Sequence, residues 1–302
     1  MRAIFIFLIT VLFTAVSFGQ YVKPTDSNKP SAKSPRWHYE RAMVYHLRDQ
    51  DGKATIELHK ALERYKTLGE DIYFGETNFF MAILFSSRKM WAEAEEAVQK
   101  AGEHVPAQLL LARVKTERGD FLGAVDQVQK ALLGLRIDAD FSKRLQNCKT
   151  DALVKPVDEK RAELVAEDLR LRLRAIVEEI NELLTDSAQS YQEATVDKGL
   201  KDPIVYNELV DLYSEEEQLA KSLQLLTEIA SARGGFAPTV YIQMGKLYLE
   251  QEKRREALEV FEKAIAQLID LGFSEEAGDF STEEIRKLKA ELNPNLSPKK
   301  KR

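Results

Sequence analysis

The 302-residue chain has one cysteine, four histidines and few helix-breaking residues, with 14 glycines and 9 prolines. A single thiol excludes a disulfide framework and a zinc site built from several thiolates. Glycine and proline together fall well below their usual share of about 12 %, which disfavours a turn-rich sandwich or barrel. The histidines lack metal-ligand spacing, and no phosphate loop, dinucleotide signature or Gly-x-Ser-x-Gly motif occurs. We therefore expect a mostly helical protein that is not an enzyme and uses no cofactor or metal.

The charge of the chain is unevenly distributed. The sequence carries 44 basic and 49 acidic residues, for a net charge of −5. Residues 20–298 hold 39 basic and 49 acidic residues, a net charge of −10, whereas residues 299–302 read Lys-Lys-Lys-Arg. An acidic body repels a phosphate backbone, so no nucleic-acid partner is expected.

The N-terminal residues predict a secretory signal. An arginine precedes a 14-residue apolar run at 3–16, and Ser17 and Gly19 put small residues at positions −3 and −1 before Gln20. Signal peptidase reads this pattern, and the run is shorter than the ~20 residues of a transmembrane helix. We expect a periplasmic or secreted mature chain without a stable membrane span. The alternative is a protein anchored in the membrane by an uncleaved N-terminal segment.

A pattern of small and large residues recurs at about 35-residue spacing. In its clearest copy, Gly245 lies twelve residues before the triplet Ala257, Phe261 and Ala264. Helical geometry places the triplet on one face, and a small residue on the preceding helix lets that face approach closely. The other triplets are Ala54-Leu58-Ala61, Ala94-Val98-Ala101, Ala124-Val128-Ala131, Ser187-Tyr191-Ala194 and Ser222-Leu226-Ile229.

This pattern resembles the tetratricopeptide repeat over roughly residues 35–270, apart from one insertion. The resemblance implies an all-α, right-handed superhelical solenoid of about six helix pairs, with a long central helix and a C-terminal capping helix. An irregular helical bundle is the alternative. The predicted segments are a signal at 1–19, a flexible spacer at 20–34, repeats 1–3 at 35–135, the insertion and start of the long helix at 136–167, repeats 4–6 at 168–270, a capping segment at 271–292 and a basic, disordered tail at 293–302.

The insertion predicts one unusually long helix. Pro156 and Asp158 are typical of a helix start, and the pattern that follows predicts about 25 helical residues. An apolar stripe follows heptad spacing and leaves two interpretations open: the helix packs on residues 136–155, or the stripe forms a seam for self-association. The stripe comprises Ala162, Ala166, Leu169, Leu173, Ile176, Ile180 and Leu183.

The resemblance also implies a concave groove that is lined by the first helix of each pair and binds a protein or peptide partner. The residues at the matching positions are, unit by unit, Arg36, Tyr39, Met43 and His46; Glu76, Phe79, Ile83 and Ser86; Leu109, Arg113 and Thr116; Arg172 and Ile176; Asn207, Asp211 and Ser214; and Ile242, Lys246 and Leu249. The first three units would offer an apolar floor to the partner. The alternative is that the superhelix closes over these side chains and makes them core.

Together these features predict a non-catalytic, exported scaffold for protein–protein interactions, with envelope assembly or secretion as its setting. A second hypothesis is a pentatricopeptide-like RNA-binding protein, because Pro203, Tyr206, Leu209 and Tyr213 resemble that repeat. The acidic body and the predicted export signal both oppose it. A third hypothesis is an enzyme with a scattered site that no motif reveals.

Overall fold

The structure of the protein is a computed structural model. It describes residues 29–69, 73–132, 139–156, 158–185, 188, 192, 203–215 and 217–273. Outside the described part lie the predicted signal, most of the predicted spacer, most of the predicted capping segment, the basic tail and the triplet Ser187-Tyr191-Ala194.

Within the described residues the secondary structure consists of twelve α-helices. None of these helices is both long and apolar enough to span a bilayer. The helices are α1 (Pro35–His46), α2 (Asp51–Leu68), α3 (Tyr73–Ser87), α4 (Trp91–Gln99), α5 (Val105–Arg118), α6 (Phe121–Ala131), α7 (Ala139–Leu153), α8 (Glu159–Thr185), α9 (Pro203–Glu215), α10 (Leu219–Ala232), α11 (Pro238–Glu250) and α12 (Arg254–Asp270).

The helices pack as consecutive pairs. The pairs α1–α2, α3–α4, α5–α6, α9–α10 and α11–α12 make the most extensive contacts, and α2–α3, α4–α5 and α10–α11 join one pair to the next. The predicted small–large–small faces lie at the centres of these pairs. Their members are all buried: Ala54, Leu58, Ala61, Ala94, Val98, Ala101, Ala124, Val128, Ala131, Ser222, Leu226, Ile229, Ala257, Phe261 and Ala264. The all-α fold of stacked helix pairs is therefore confirmed.

The turn inside each of these five pairs repeats one backbone geometry. A residue with positive φ is followed by one whose N–H donates to the carbonyl five residues earlier, at 2.8–2.9 Å. This hydrogen bond closes the end of the first helix. The residue with positive φ is Gly119 in the third pair, and Asp49, Lys89, Glu217 and Glu252 occupy the same place in the others.

The insertion forms helices α7 and α8, and α8 runs for 27 residues. The Asp158 carboxylate accepts a hydrogen bond from the Arg161 N–H at 2.8 Å, so the predicted helix start is confirmed. Two bidentate ion pairs hold α8 in place, because Arg174 reaches Glu117 on α5 and Arg144 on α7 reaches Glu179, at 2.5–2.7 Å.

The heptad stripe of α8 packs against other helices of the same chain. Leu169, Leu173, Ile176 and Ile180 are buried in one cluster with residues of α5, α6, α7 and α9. The first interpretation, packing on the inserted segment, is thus correct, and these four side chains are not a free seam for self-association. Leu183, at the end of the stripe, remains exposed.

Three buried clusters overlap around the chain and close it into a ring. One cluster spans α1 to α5, the next spans α5 to α9, and the third spans α9 to α12 and includes Val44 of α1. At the closure, the Arg41 guanidinium donates to the Leu271 carbonyl at 2.5 Å and stacks on the rings of Trp37 and Phe273, 4.5 and 5.0 Å from the ring centroids. The first and last helix pairs are therefore neighbours in space.

Candidate functional site

The structure divides the predicted groove residues by exposure. Tyr39, Phe79 and Leu109 are buried. Tyr39 and Phe79 lie in the cluster that spans α1 to α5, and Leu109 lies in the cluster that spans α5 to α9. Helix α11 also packs on α1. These three apolar groove residues are therefore core in this conformation, whereas Met43 is partly exposed and Ile83 is exposed. Binding of a partner by these residues stays a prediction. Of the rest, Glu76, Thr116, Ile176 and Ile242 are buried, Arg36, Met43, His46, Ser86, Arg172, Ser214 and Leu249 are partly exposed, Ile83, Arg113, Asp211 and Lys246 are exposed, and the side chain of Asn207 lies outside the described part.

The part of the chain that lies against α1 and α3 is the turn between α10 and α11, residues 233–237, which we call the Arg233 turn. Gly234 and Gly235 have φ values of 59° and 77°, which side chains disfavour. The Arg36 guanidinium donates to two carbonyls of this turn, that of Phe236 at 3.0 Å and that of Arg233 itself. A side chain at a predicted groove position thus binds backbone carbonyls of a tight turn.

The side chain of Arg233 enters a cavity formed by residues of α1 and α3. It is buried, and its Nη2 lies 3.4 and 3.1 Å from the two carboxylate oxygens of Glu76. The guanidinium carbon lies 5.7 Å from the ring centroid of Tyr39 and 5.9 Å from that of Tyr73. An ion pair and two aromatic rings therefore surround one planar cation, a combination suited to arginine.

A second carboxylate, that of Glu40, lies beside this ion pair. Glu40 is completely buried, and neither of its oxygens has a hydrogen-bond partner. Burial raises the pKa of Glu40 to about 7, although the charges of Arg233 and Arg36 act in the opposite direction. The neighbouring Glu76 adds to the upward shift. One buried acid here has its hydrogen-bonding capacity unfilled.

Burial also raises the pKa of the two tyrosines in this cavity. Glu76 reinforces the shift at Tyr39, and Glu40 reinforces it at Tyr73, so both phenols stay neutral. We call the five residues around Arg233 the arginine pocket: Arg36, Tyr39, Glu40, Tyr73 and Glu76.

The repeat pattern predicts part of this pocket. Arg36, Tyr39 and Glu76 occupy predicted groove positions, whereas Glu40, Tyr73 and Arg233 lie outside them. Glu40 follows a groove position on α1, and Arg233 lies outside both helices of its unit. The available signal was the Arg-Gly-Gly run, which places a charged residue directly before two helix-breaking ones.

His38 and Cys148 both lie in buried surroundings. His38 Nδ1 lies 2.6 Å from the buried Glu57 carboxylate, which also contacts Arg41 and Lys60. Cys148 is buried, and burial raises the pKa of its thiol. Among the described residues, no group of three His, Cys, Asp or Glu side chains could hold a metal ion.

Comparisons with known proteins identify similar solved structures only. No family model and no curated protein matches the chain. A tetratricopeptide repeat protein from Parabacteroides merdae is 16 % identical, with 84 % of this chain and 98 % of that chain covered and a TM-score of 0.33. The TPR2AB-domain:pHSP90 complex of yeast Sti1 is 14 % identical, with 84 % and 96 % covered and a TM-score of 0.29.

The chain's own helix pairs define its class of fold. The five repeated turns and the buried triplets define a tetratricopeptide-like stack of helix pairs.

Proposed function

We propose that the protein is a non-catalytic scaffold that holds segments of partner proteins on the inner faces of its first helices. The main support for this proposal is that side chains of α1 and α3 bind both the backbone and the side chain of the Arg233 turn. Arg36 binds two of its backbone carbonyls, and Glu76 with Tyr39 binds its side chain. A surface that holds one polypeptide segment by backbone and side chain has the chemistry to hold another.

The predicted groove positions that remain exposed extend this surface beyond the pocket. Ile83 offers an apolar side chain on α3, and Arg113 and Lys246 offer cations on α5 and α11. Backbone contacts of the Arg36 kind accept many sequences, whereas the pocket selects among side chains. We therefore assign general peptide affinity to Arg36, and specificity for the side chain to the other four residues of the pocket.

Site-specific photo-crosslinking tests the scaffold role. A benzophenone amino acid at Ile83 is expected to give discrete adducts of higher mass in the native organism, identified by mass spectrometry. The matched control is the same amino acid at Ile56 on α2, since Ile83 is 40 % and Ile56 is 55 % exposed. Equal adduct patterns at both positions would contradict the proposal. Alanine at Tyr39 or Phe79 is unsuitable, because both side chains are buried and their loss destabilises the core.

The proposal includes export of the protein to the periplasm or beyond the cell, where envelope assembly or secretion would supply its partners. Its support is the apolar run at 3–16, followed by Ser17 and Gly19. The mature chain is expected to begin at Gln20 when intact-mass spectrometry is applied to protein from an envelope preparation. Gly19→Leu should retain the precursor mass and Gln20→Leu should not, because the cleavage site needs a small residue at −1. A precursor mass in the unmodified protein would instead indicate a membrane-anchored form.

A further inference from the structure

We infer that the arginine pocket is a binding site for an arginine side chain of a partner protein, and that Arg233 occupies it as an exchangeable internal ligand. This inference rests on the proposed scaffold function and adds the chemistry of the ligand. In the closed ring the pocket is filled by the protein's own turn. A partner segment bearing arginine would take the place of that turn.

The pocket is built for a guanidinium. Glu76 faces Nη2 with both of its oxygens at 3.1–3.4 Å, and the rings of Tyr39 and Tyr73 lie within 6 Å of the guanidinium carbon. Arginine combines a delocalised charge, several donors and a planar face that stacks on rings. The ammonium of lysine has a compact charge and no such plane. The expected ligand is therefore an arginine-bearing segment, not simply a basic one.

Glu40 indicates that the internal ligand leaves the pocket incompletely satisfied. Its carboxyl group is fully buried beside Arg233 and Arg36, and its oxygens accept no hydrogen bond. A buried polar group without a partner costs free energy, and a buried ion pair returns little net stability after its desolvation. A partner arginine that donates to both Glu40 and Glu76 would satisfy the pocket better than Arg233 does.

The Arg233 turn can leave the pocket without losing its shape, because the C-terminal units hold it. The Gln267 side chain donates to the Gly235 carbonyl at 2.7 Å and accepts from the Ala237 N–H at 2.9 Å. The Tyr241 hydroxyl donates to the same Gly235 carbonyl at 3.1 Å. The turn is thus organised by α11 and α12 and only docked on α1 and α3. Exchange then requires separation of two helix pairs and no refolding of the turn.

A synthetic peptide tests the inference directly. The probe is a fluorescein-labelled octapeptide with the sequence of residues 231–238, Ser-Ala-Arg-Gly-Gly-Phe-Ala-Pro. Fluorescence anisotropy with the full-length Arg233→Ala variant, checked by circular dichroism, is expected to show saturable binding. The unmodified protein should bind the peptide about tenfold more weakly, since its own Arg233 competes at high effective concentration.

Two matched controls test whether the pocket binds arginine selectively. Citrulline or lysine in place of the peptide arginine should weaken binding to the variant about tenfold, because the charge or the planar fork is lost. Adding Glu76→Gln to the Arg233→Ala variant should have a similar effect. Equal binding of the arginine, lysine and citrulline peptides would overturn the inference, as would an absence of binding to the folded variant.

A measurement on the unmodified protein covers the case in which Arg233→Ala does not fold. Excess arginine peptide is expected to speed hydrogen exchange of the amides at 233–237, because the docked turn is displaced, and the citrulline peptide should not. No change with the arginine peptide would refute the exchange. If the arginine peptide caused no change but specific crosslinks formed at Ile83, the scaffold function would still be supported and only the binding of a partner arginine would be contradicted.

Discussion

Replacement of Phe261 by alanine is expected to lower the free energy of unfolding by about 3–5 kcal/mol, the usual cost of removing a buried phenylalanine. The ring is fully buried in the last helix pair, and it lies where α11 and α12 cross at Gly245. A Cβ added to Gly245 would lie 2.5 Å from ring atoms of Phe261, so glycine is required for the close approach of the helices. Urea denaturation followed by circular dichroism measures the loss.

A double-mutant cycle tests whether this loss of stability depends on the contact between Gly245 and Phe261. Gly245→Ala alone should destabilise by about 1–3 kcal/mol through overpacking. In the double variant the new methyl group enters the space vacated by Phe261, and alanine favours the helix by about 1 kcal/mol. The combined loss should therefore be clearly smaller than the sum of the two single losses. Strict additivity would show that the two side chains do not share this space.

Glu40→Gln is expected to remove a fall in stability between pH 5 and pH 8. Since burial raises the pKa of Glu40 from 4.5 to about 7, the folded protein keeps a proton that the unfolded chain releases. The free energy of unfolding contributed by this group is greatest below about pH 4.5 and decreases as the pH rises to about 7, by up to about 3 kcal/mol. Arg233, Arg36, Glu76 and Tyr73 face the group and are unchanged in the variant.

Urea midpoints at four pH values from 5 to 8 test this dependence. The unmodified protein should lose stability across the series, and Glu40→Gln should lose markedly less, because glutamine has no proton to release. Glu63→Gln is the matched control: Glu63 is exposed and its ion pair with Lys66 lowers its pKa, so its titration lies below this window. Parallel pH profiles for the unmodified protein and Glu40→Gln would show that Glu40 does not carry the effect.

The local parts of the fold could be predicted from the sequence because they depend on contacts between residues close in the chain. The spacing of Gly245 and Phe261 predicts which helices pair and which faces meet, and Pro156 with Asp158 predicts the start of α8. A heptad stripe, however, identifies a face that must be covered and not what covers it. Leu173 therefore fitted both packing within the chain, which was the favoured interpretation, and self-association.

The ring closure and the arginine pocket could not be predicted for a different reason. Whether α1 meets α11 depends on small rotations accumulated over several helix pairs, and no residue pattern specifies their sum. Tyr39 lies on the predicted inner face of α1, yet its burial depends on what the far end of the chain brings there. Glu40 and Arg233 come together across 193 residues of sequence and lie outside the repeat positions, so the repeat carries no information about their contact.

The contact between the first and last helix pairs changes how the stack should respond to stress. In an open repeat array the outermost units have one neighbour each, and they fray first. Here the contact between α1 and α11 gives both outer units of the described part a second neighbour, so neither should fray as readily as the end of an open array. A ligand that opened the ring would recreate two frayable ends. Binding of a ligand in the arginine pocket would then lower the cooperativity with which the helix pairs unfold.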